Sequence, residues 1–112
     1  MILKNIPNTE ILNLKDLVEY ADGQVVSKTL IQNEGVGITI FAFAKNEGIS
    51  AHESKGDALV TVLDGKGKFT IDEKDFILSA GESIVMPANV PHAVYGEENF
   101  KMLLMVTAVY KI

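Results

Sequence analysis

Cysteine and arginine are both missing from this 112-residue sequence. Without cysteine the chain has no disulfides, no thiolate metal ligands and no cysteine nucleophile. All ten basic residues are lysine, so no guanidinium is available to grip a phosphate or a carboxylate through two parallel hydrogen bonds. A sugar-phosphate or nucleotide-sugar ligand is therefore disfavoured.

Positive charge and long hydrophobic runs are also scarce. The net charge of −5 argues against a nucleic acid or an acidic membrane as partner. Apolar runs such as 102–106 are far too short to span a bilayer, and the first residues have no apolar run of signal-peptide length. We therefore expect a soluble, cytoplasmic protein. Its length and its hydrophobic content of 47% predict one domain over residues 1–112, in which residues 1–23 add a strand or a short amphipathic helical turn.

Short strand-like segments fill the chain from residue 24 onward. Runs rich in β-branched and aromatic residues are separated by turn residues, and the last run extends over 100–110. About eight such runs predict an all-β antiparallel barrel or sandwich. The Gly65–Gly67 segment predicts a hairpin that pairs the run ending at Asp64 with the run 68–73.

Several of these strands are apolar on both faces. Ile38 and Ile40 alternate with Phe41 and Phe43, and the run 102–106 is apolar throughout. The interior of a barrel covers only one face of such a strand, so the other face needs a second layer or another subunit. We therefore expect a homodimer.

The chain has two histidines, His52 and His92. His92 lies in the stretch GESIVMPANVPHAVYG, which begins at Gly81 and contains Pro87 and Pro91. Glycine gives the backbone freedom for a tight turn, whereas the prolines restrict the direction in which the next strand begins. The stretch is thus suited to fixing the orientation of the His92 imidazole.

The stretch resembles the second motif of the cupin superfamily, which consists of small antiparallel jelly-roll barrels of the RmlC-like type. Gly81, Pro87 and His92 match the spacing of that motif, and Gly96 stands where the family commonly has asparagine. The resemblance extends from about residue 35 to residue 109, with the motifs at about 48–96. It implies a jelly-roll fold.

The first cupin motif is degenerate in this chain. When the sequence is aligned on Gly65, the two histidine slots of the motif fall on His52 and Ser54, and its glutamate slot falls on Ala58. The motif's opening glycine is unmatched, although Gly48 lies nearby. Where the family places three histidines and a glutamate on a metal ion, only two histidines remain here.

A pocket is expected around these positions. His52, Ser54 and Ala58 have the same parity, so on a continuous strand they point to one side. We predict a pocket formed by five residues: His52, Ser54, Ala58, Met86 and His92. The two imidazoles are expected to face each other across the hollow of the barrel.

The metal content of this pocket stays open. Two imidazoles suit Zn, Fe, Ni or Cu but hold them weakly, because tight sites have three or more protein ligands. Glu53 and Asp57 point away from the predicted wall, and a β-bulge between 53 and 58 could turn one of them inward as a further ligand.

Three functions remain open. The first is a protein that binds a small organic molecule in a pocket marked by two histidines, with metal weak or optional. The second is a metal-dependent oxygenase or isomerase, as in some members of the family. The third is a ligand sensor or interaction module without catalysis. The sequence identifies neither catalytic residues nor a substrate.

Overall fold

The computed structural model describes residues 1–107 of the chain. Within these residues it contains one short 3₁₀ helix, Leu14–Leu17, and nine strands. The strands are β1 Val25–Gln32, β2 Val36–Phe43, β3 Gly48–His52, β4 Ala58–Asp64, β5 Lys66–Ile71, β6 Lys74–Ser79, β7 Ser83–Met86, β8 His92–Gly96 and β9 Phe100–Thr107. The part of the last predicted strand beyond Thr107 lies outside the described residues. In the described range no helix is long and apolar enough to cross a membrane.

The strands form two antiparallel sheets that face each other. One sheet has the order β1-β2-β9-β4-β7 and the other has the order β3-β8-β5-β6. Neighbouring strands are mostly distant in sequence, because the chain repeatedly crosses from one sheet to the other. The predicted all-β antiparallel jelly roll with a short N-terminal helical turn is confirmed.

The hairpin predicted at Gly65–Gly67 is wrong. β4 pairs with β7 and β9, whereas β5 pairs with β6 and β8, so the chain changes sheet at Gly65. Gly65 has a φ of +71°, and a Cβ at this position would lie 1.9 Å from the backbone oxygen of Asn99. Glycine is therefore required here for a corner between sheets.

The inner faces of the two sheets enclose the main hydrophobic core. Phe43, Phe69 and Phe100 are fully buried at one end of it. The rings of Phe43 and Phe100 stack with their centroids 4.6 Å apart, and Phe69 meets Phe100 edge-on at 6.0 Å. This aromatic cluster closes the end of the barrel at which β9 begins.

The outer face of the five-stranded sheet carries a second core. Val18 from the N-terminal segment packs there with Leu30, Ile40 and Ala42, and all four are buried. The cover that apolar strands need on their second face is thus supplied, over this half of the sheet, by the same chain rather than by a further sheet or a subunit.

A group of polar contacts, here called the N-terminal latch, fixes this segment to the sheet. The hydroxyl of Tyr20 donates a hydrogen bond of 2.5 Å to Asp64 Oδ2. Lys101 Nζ donates to the backbone oxygen of Lys15 at 2.7 Å and lies 4.9 Å from the ring centroid of Tyr20. Burial, and then the hydrogen bond to Asp64, raise the pKa of Tyr20 well above its usual value near 10.

The other half of the outer face is less covered. One apolar side chain from each of the five strands lies there in register, and together they form what we call the outer apolar row: Ile31, Ile38, Met105, Leu59 and Val85. Leu59 is 42% exposed and Val85 is 53% exposed. The row therefore leaves apolar surface open toward one edge of the sheet.

Candidate functional site

His52 and His92 are direct cross-strand neighbours. The antiparallel pairing of β3 and β8 places their Cα atoms opposite each other, and the rings meet edge-on with centroids 4.4 Å apart. The prediction that they face each other across the hollow of the barrel is wrong, because both belong to the wall formed by the four-stranded sheet. Directly opposed residues share a sheet face, so the two rings form one continuous surface.

A β-bulge before His52 gives it the same orientation as Ile49. Ile49 pairs with Val94 and His52 pairs with His92, so β3 advances by three residues where β8 advances by two. In a regular strand without a bulge, residues three apart, such as Ile49 and His52, would lie on opposite faces. The bulge considered from the sequence lay after His52, where the structure instead has the loop 53–57.

This loop replaces the continuous strand that the sequence predicted between positions 52 and 58. The Ser54 hydroxyl donates a hydrogen bond of 2.7 Å to the backbone oxygen of Gly56. A Cβ on Gly56 would lie 1.5 Å from the backbone oxygen of Thr107, so the loop packs this closely on β9 only with glycine here. Ser54 and Ala58 nevertheless both line the same cavity, although Ser54 lies in the loop and Ala58 begins β4.

The two histidines line a cavity of about 150 Å³ between the sheets, here called the histidine cavity. Its walls are mostly apolar. The lining residues are Phe41, Ile49, His52, Ser54, Ala58, Met86, His92, Val94, Met102, Leu104 and Val106. The structure thus brings all five residues of the predicted pocket together. Whether they bind a ligand stays a prediction.

The sequence did not identify the walls contributed by β2 and β9. Met102, Leu104 and Val106 alternate along β9, and this spacing marks one face of a strand. However, Leu103 and Met105 are apolar as well, so the pattern does not reveal which face is the inner one.

Each imidazole is oriented by a backbone carbonyl two residues earlier in the chain. His52 Nδ1 lies 3.0 Å from the oxygen of Ser50, and His92 Nδ1 lies 3.1 Å from the oxygen of Val90. A carbonyl oxygen only accepts hydrogen bonds, so Nδ1 carries the hydrogen in both rings. In the neutral form each ring is left with a lone pair on Nε2.

The two rings differ in their surroundings. His92 is only 4% exposed, whereas His52 is exposed on one side. Burial lowers the pKa of His92, the hydrogen bond to Val90 acts in the opposite direction, and the nearby charge of a protonated His52 lowers it further. Because the pKa falls below its usual value of 6.5, His92 is neutral at neutral pH.

The other family ligands have no functional replacement at their own positions. Ala58 carries no donor atom, and Ser54 offers only a neutral hydroxyl, which is a weaker ligand than an imidazole. Among residues 1–107, no group of three or more histidines, cysteines and carboxylates lies close enough together to hold a metal ion. The residues present therefore do not fit the family's divalent centre of three histidines and a glutamate.

Neither acidic residue near His52 completes the set. Asp57 Oδ1 accepts a hydrogen bond of 2.9 Å from the backbone amide of Ala88, so its carboxylate is used to hold the neighbouring loop. Glu53 is exposed and belongs to no metal-binding group in the described part of the chain. The inward turn considered for either residue is not what the structure shows.

Comparison with known proteins identifies the family. Residues 39–107 match the model of the cupin domain, which is more than half of the chain, and the chain belongs to the cupin family. A conserved protein of unknown function from Streptococcus pyogenes is 40% identical, with 99% of this chain and 97% of that chain covered and a TM-score of 0.96. A cupin superfamily protein from Desulfitobacterium hafniense is 36% identical, with coverages of 96% and 98% and a TM-score of 0.91.

A third similar structure is longer than this chain. The cupin 2 conserved barrel domain protein from Leptotrichia buccalis is 52% identical over 86% of this chain, with a TM-score of 0.84, but only 47% of its own length is covered. No curated protein matches the chain. None of these three names states a ligand or a reaction, so the function has to be argued from the site.

Proposed function

We propose that this protein binds a small, largely apolar organic molecule in the histidine cavity. One observation carries the proposal: two in-register imidazoles, each with Nδ1 bonded to a carbonyl, stand in the wall of a mostly apolar cavity. In ligand pockets of this kind the apolar walls provide affinity, and the few polar atoms fix the orientation of the ligand.

The imidazoles select for a hydrogen-bond donor on the ligand. A neutral ring whose Nδ1–H is already used offers only the lone pair of Nε2. A ligand hydroxyl or N–H satisfies it, whereas an ether oxygen does not. Once a bound ligand covers it, an acceptor left without a partner costs about 1–3 kcal/mol, which corresponds to a preference of roughly tenfold to a hundredfold.

The volume of the cavity limits the size of the ligand. At about 150 Å³ it is as large as an engineered protein cavity that accommodates benzene. A ring or a short branched chain of about six to eight non-hydrogen atoms fits this space. Met86 and Met102 let the wall adjust to its shape, since unbranched thioether side chains adapt easily.

Phenol and anisole form a matched pair for testing this function, because they differ in the donor hydroxyl. In a chelator-containing buffer, phenol should raise the melting temperature with the logarithm of its concentration, and anisole should have little effect. His92→Ala should abolish the difference between the two compounds. Lys74→Ala, an exposed change on β6, should leave it intact.

Two results would contradict the proposal. One is equal stabilisation by phenol and anisole, which would mean that the imidazoles do not accept a hydrogen bond from the ligand. The other is the absence of stabilisation by any hydroxyl-bearing ring or short alcohol of this size.

We also propose that a second copy of the chain covers the outer apolar row. The row has no ionisable group, and the adjacent hydroxyls of Thr61 and Ser83 bond to each other at 2.7 Å. Each copy carries a net charge of −5, so two copies meet with least repulsion where both faces are uncharged. This arrangement corresponds to the homodimer expected from the sequence.

Light scattering on variants tests the dimer. Val85→Lys should give monomers, because it places a charge in the most exposed part of the outer apolar row. Ile77 is 58% exposed on the four-stranded sheet, so Ile77→Lys is the matched control and should remain dimeric. A monomeric wild type, or a dimer that survives Val85→Lys unchanged, would rule this interface out.

A further inference from the structure

We propose that two loops beside the histidine cavity form a gate to it, and that the carboxylate of Asp57 holds this gate closed. The first loop, 53–57, joins β3 to β4, and the second loop, 87–91, joins β7 to β8. The inference rests on the proposed function, because it concerns how a ligand reaches the same cavity. It assigns a role to Asp57, which is not among the residues that line the cavity.

The two loops lie at the end of the cavity that is nearest to solvent. His52 and Ala58 flank the first loop, and both line the cavity. Met86 and His92 flank the second loop and line it as well. Ser54, inside the first loop, completes this end of the wall and is only half-buried, whereas His52 is exposed. A ligand that enters beside these two residues therefore passes the loops.

Two hydrogen bonds, here called the loop clasp, join one loop to the other. The backbone amide of Ala88 donates to Asp57 Oδ1 at 2.9 Å. The backbone amide of Asn89 donates to the backbone oxygen of Ser54 at 2.8 Å. Because the two donors are adjacent in the chain, a movement of the second loop away from the first breaks both bonds together.

The first loop is anchored to the barrel independently of the clasp. The amide of Thr107, at the end of β9, donates to the backbone oxygen of Asp57 at 3.0 Å. Gly56 is buried, and its Cα lies so close to the backbone of Thr107 that a Cβ would not fit there. The first loop is thus the fixed side of the gate.

The second loop is held less firmly and is the side that moves. The amide of Val90 bonds within the loop itself, to the oxygen of Pro87 at 3.4 Å. Asp57, Pro87 and Asn89 are exposed, so water replaces the clasp bonds when the loop swings outward. Exposed loops with few buried contacts open at a small fraction of the free energy of global unfolding. Gates of this kind control how fast a ligand enters and leaves.

Hydrogen exchange followed by NMR tests the clasp without any ligand. In the wild type, the amides of Ala88 and Asn89 should exchange with similar protection, and faster than the amide of Val60 in the buried centre of β4. Asp57→Ala should lower the protection of both by roughly twofold to tenfold, the value of one hydrogen bond. The decisive amide is that of Asn89, because its own acceptor is unchanged in the variant.

Two further variants serve as controls for Asp57→Ala. Asp57→Asn keeps an acceptor oxygen at the same place and should restore the protection of both amides. Glu53 is an exposed residue of the same loop, so Glu53→Ala should leave the protection as in the wild type. The amide of Thr107 should be equally protected in all of these proteins, since its acceptor is a backbone oxygen of the anchored loop.

The kinetics of phenol binding test whether the clasp is a gate. The methyl signal of Met86, which lines the cavity, reports association and dissociation in NMR line shapes. A gate that closes equally well with and without ligand changes both rates alike. Asp57→Ala should therefore raise both by the same factor, roughly twofold to tenfold, with a nearly unchanged dissociation constant. A residue that only shapes the cavity would instead alter the dissociation constant.

Three results would overturn the gate. The first is unchanged protection of Asn89 in Asp57→Ala, and the second is wild-type protection of Ala88 and Asn89 equal to that of Val60. The third is a faster dissociation of phenol from Asp57→Ala without faster association. If phenol does not bind at all, the proposed function is contradicted, and hydrogen exchange still decides whether the clasp opens. Conversely, failure of the clasp leaves the proposed function standing.

Discussion

The inner and outer faces of the five-stranded sheet use apolar side chains in different ways. On the outer face, the N-terminal segment packs tightly, and Ile40 and Ala42 are 0% exposed. On the inner face, packing is complete only at the aromatic end, and a cavity of about 150 Å³ remains beside the histidines. Both faces belong to the same strands, so the sequence of one strand contributes to stability on one side and to a cavity on the other.

The polar groups on the two sides of this sheet also differ, in whether they have hydrogen-bond partners. In the N-terminal latch the Tyr20 hydroxyl and the Lys101 ammonium both have partners within the chain. In the histidine cavity each imidazole uses one nitrogen and leaves the other without a partner among residues 1–107. Satisfied buried groups stabilise the fold, whereas an unpaired acceptor in an apolar wall is available to a ligand.

The largest effect is expected at the aromatic end of the inner core. Phe100→Ala removes a fully buried ring that contacts two others, so the free energy of unfolding should fall by about 3–5 kcal/mol. Urea denaturation measures the loss. Phe76→Ala is the control, since Phe76 is 40% exposed and should cost much less. Similar losses for both variants would show that the aromatic end is not the tightly packed region.

The next effect concerns the N-terminal latch. Tyr20→Phe removes the hydrogen bond to Asp64 and should cost about 1–2 kcal/mol at neutral pH. Because the pKa of Tyr20 is raised by folding, the unfolded chain loses this proton first as the pH rises above about 10, and stability falls. Urea denaturation at about pH 8 and about pH 10.5 should show a smaller decrease in Tyr20→Phe than in the wild type. Equal decreases would mean that Tyr20 ionises normally.

A smaller effect is expected from His92 in the acid range. Its pKa is lowered by folding, so the unfolded chain binds the proton more readily as the pH falls through 6.5. The free energy of unfolding should therefore decrease between about pH 7 and pH 5, by at most about 1.4 kcal/mol per pH unit for this one group. His92→Gln should reduce that slope. An unchanged slope would assign the acid sensitivity to other groups.

The smallest effect on stability is expected for His52→Ala. His52 is exposed on one side, so the variant should stay within about 0.5 kcal/mol of the wild type. The same variant should lose the preference for phenol over anisole, as measured by calorimetry. A large loss of stability with an unchanged preference would place His52 with the stabilising residues instead.

Much of the cavity could be predicted from local sequence. The spacing of Gly81, Pro87 and His92, together with the degenerate motif at His52, identified five residues that the structure brings around one cavity. The short N-terminal helical turn and the strand-rich remainder were likewise visible, because the periodicity of side chains and the turn residues are local signals.

The pairing of strands could not be predicted in this way. Gly65 has the sequence context of a hairpin, yet β4 and β5 belong to different sheets because their partners lie far away in the chain. Which face of β9 is the inner one depends on what the N-terminal segment covers. The wall that carries His52 depends on its pairing with β8, which is also a long-range contact.

The bulge between Ile49 and His52 makes the direction of the His52 ring dependent on one irregular pairing in β3. If the same residues paired without the bulge, the regular alternation of the strand would turn the His52 ring to the outer face, with every chemical group still present. Relatives that keep both histidines but pair these strands regularly would therefore keep the barrel and lose the second imidazole of the cavity.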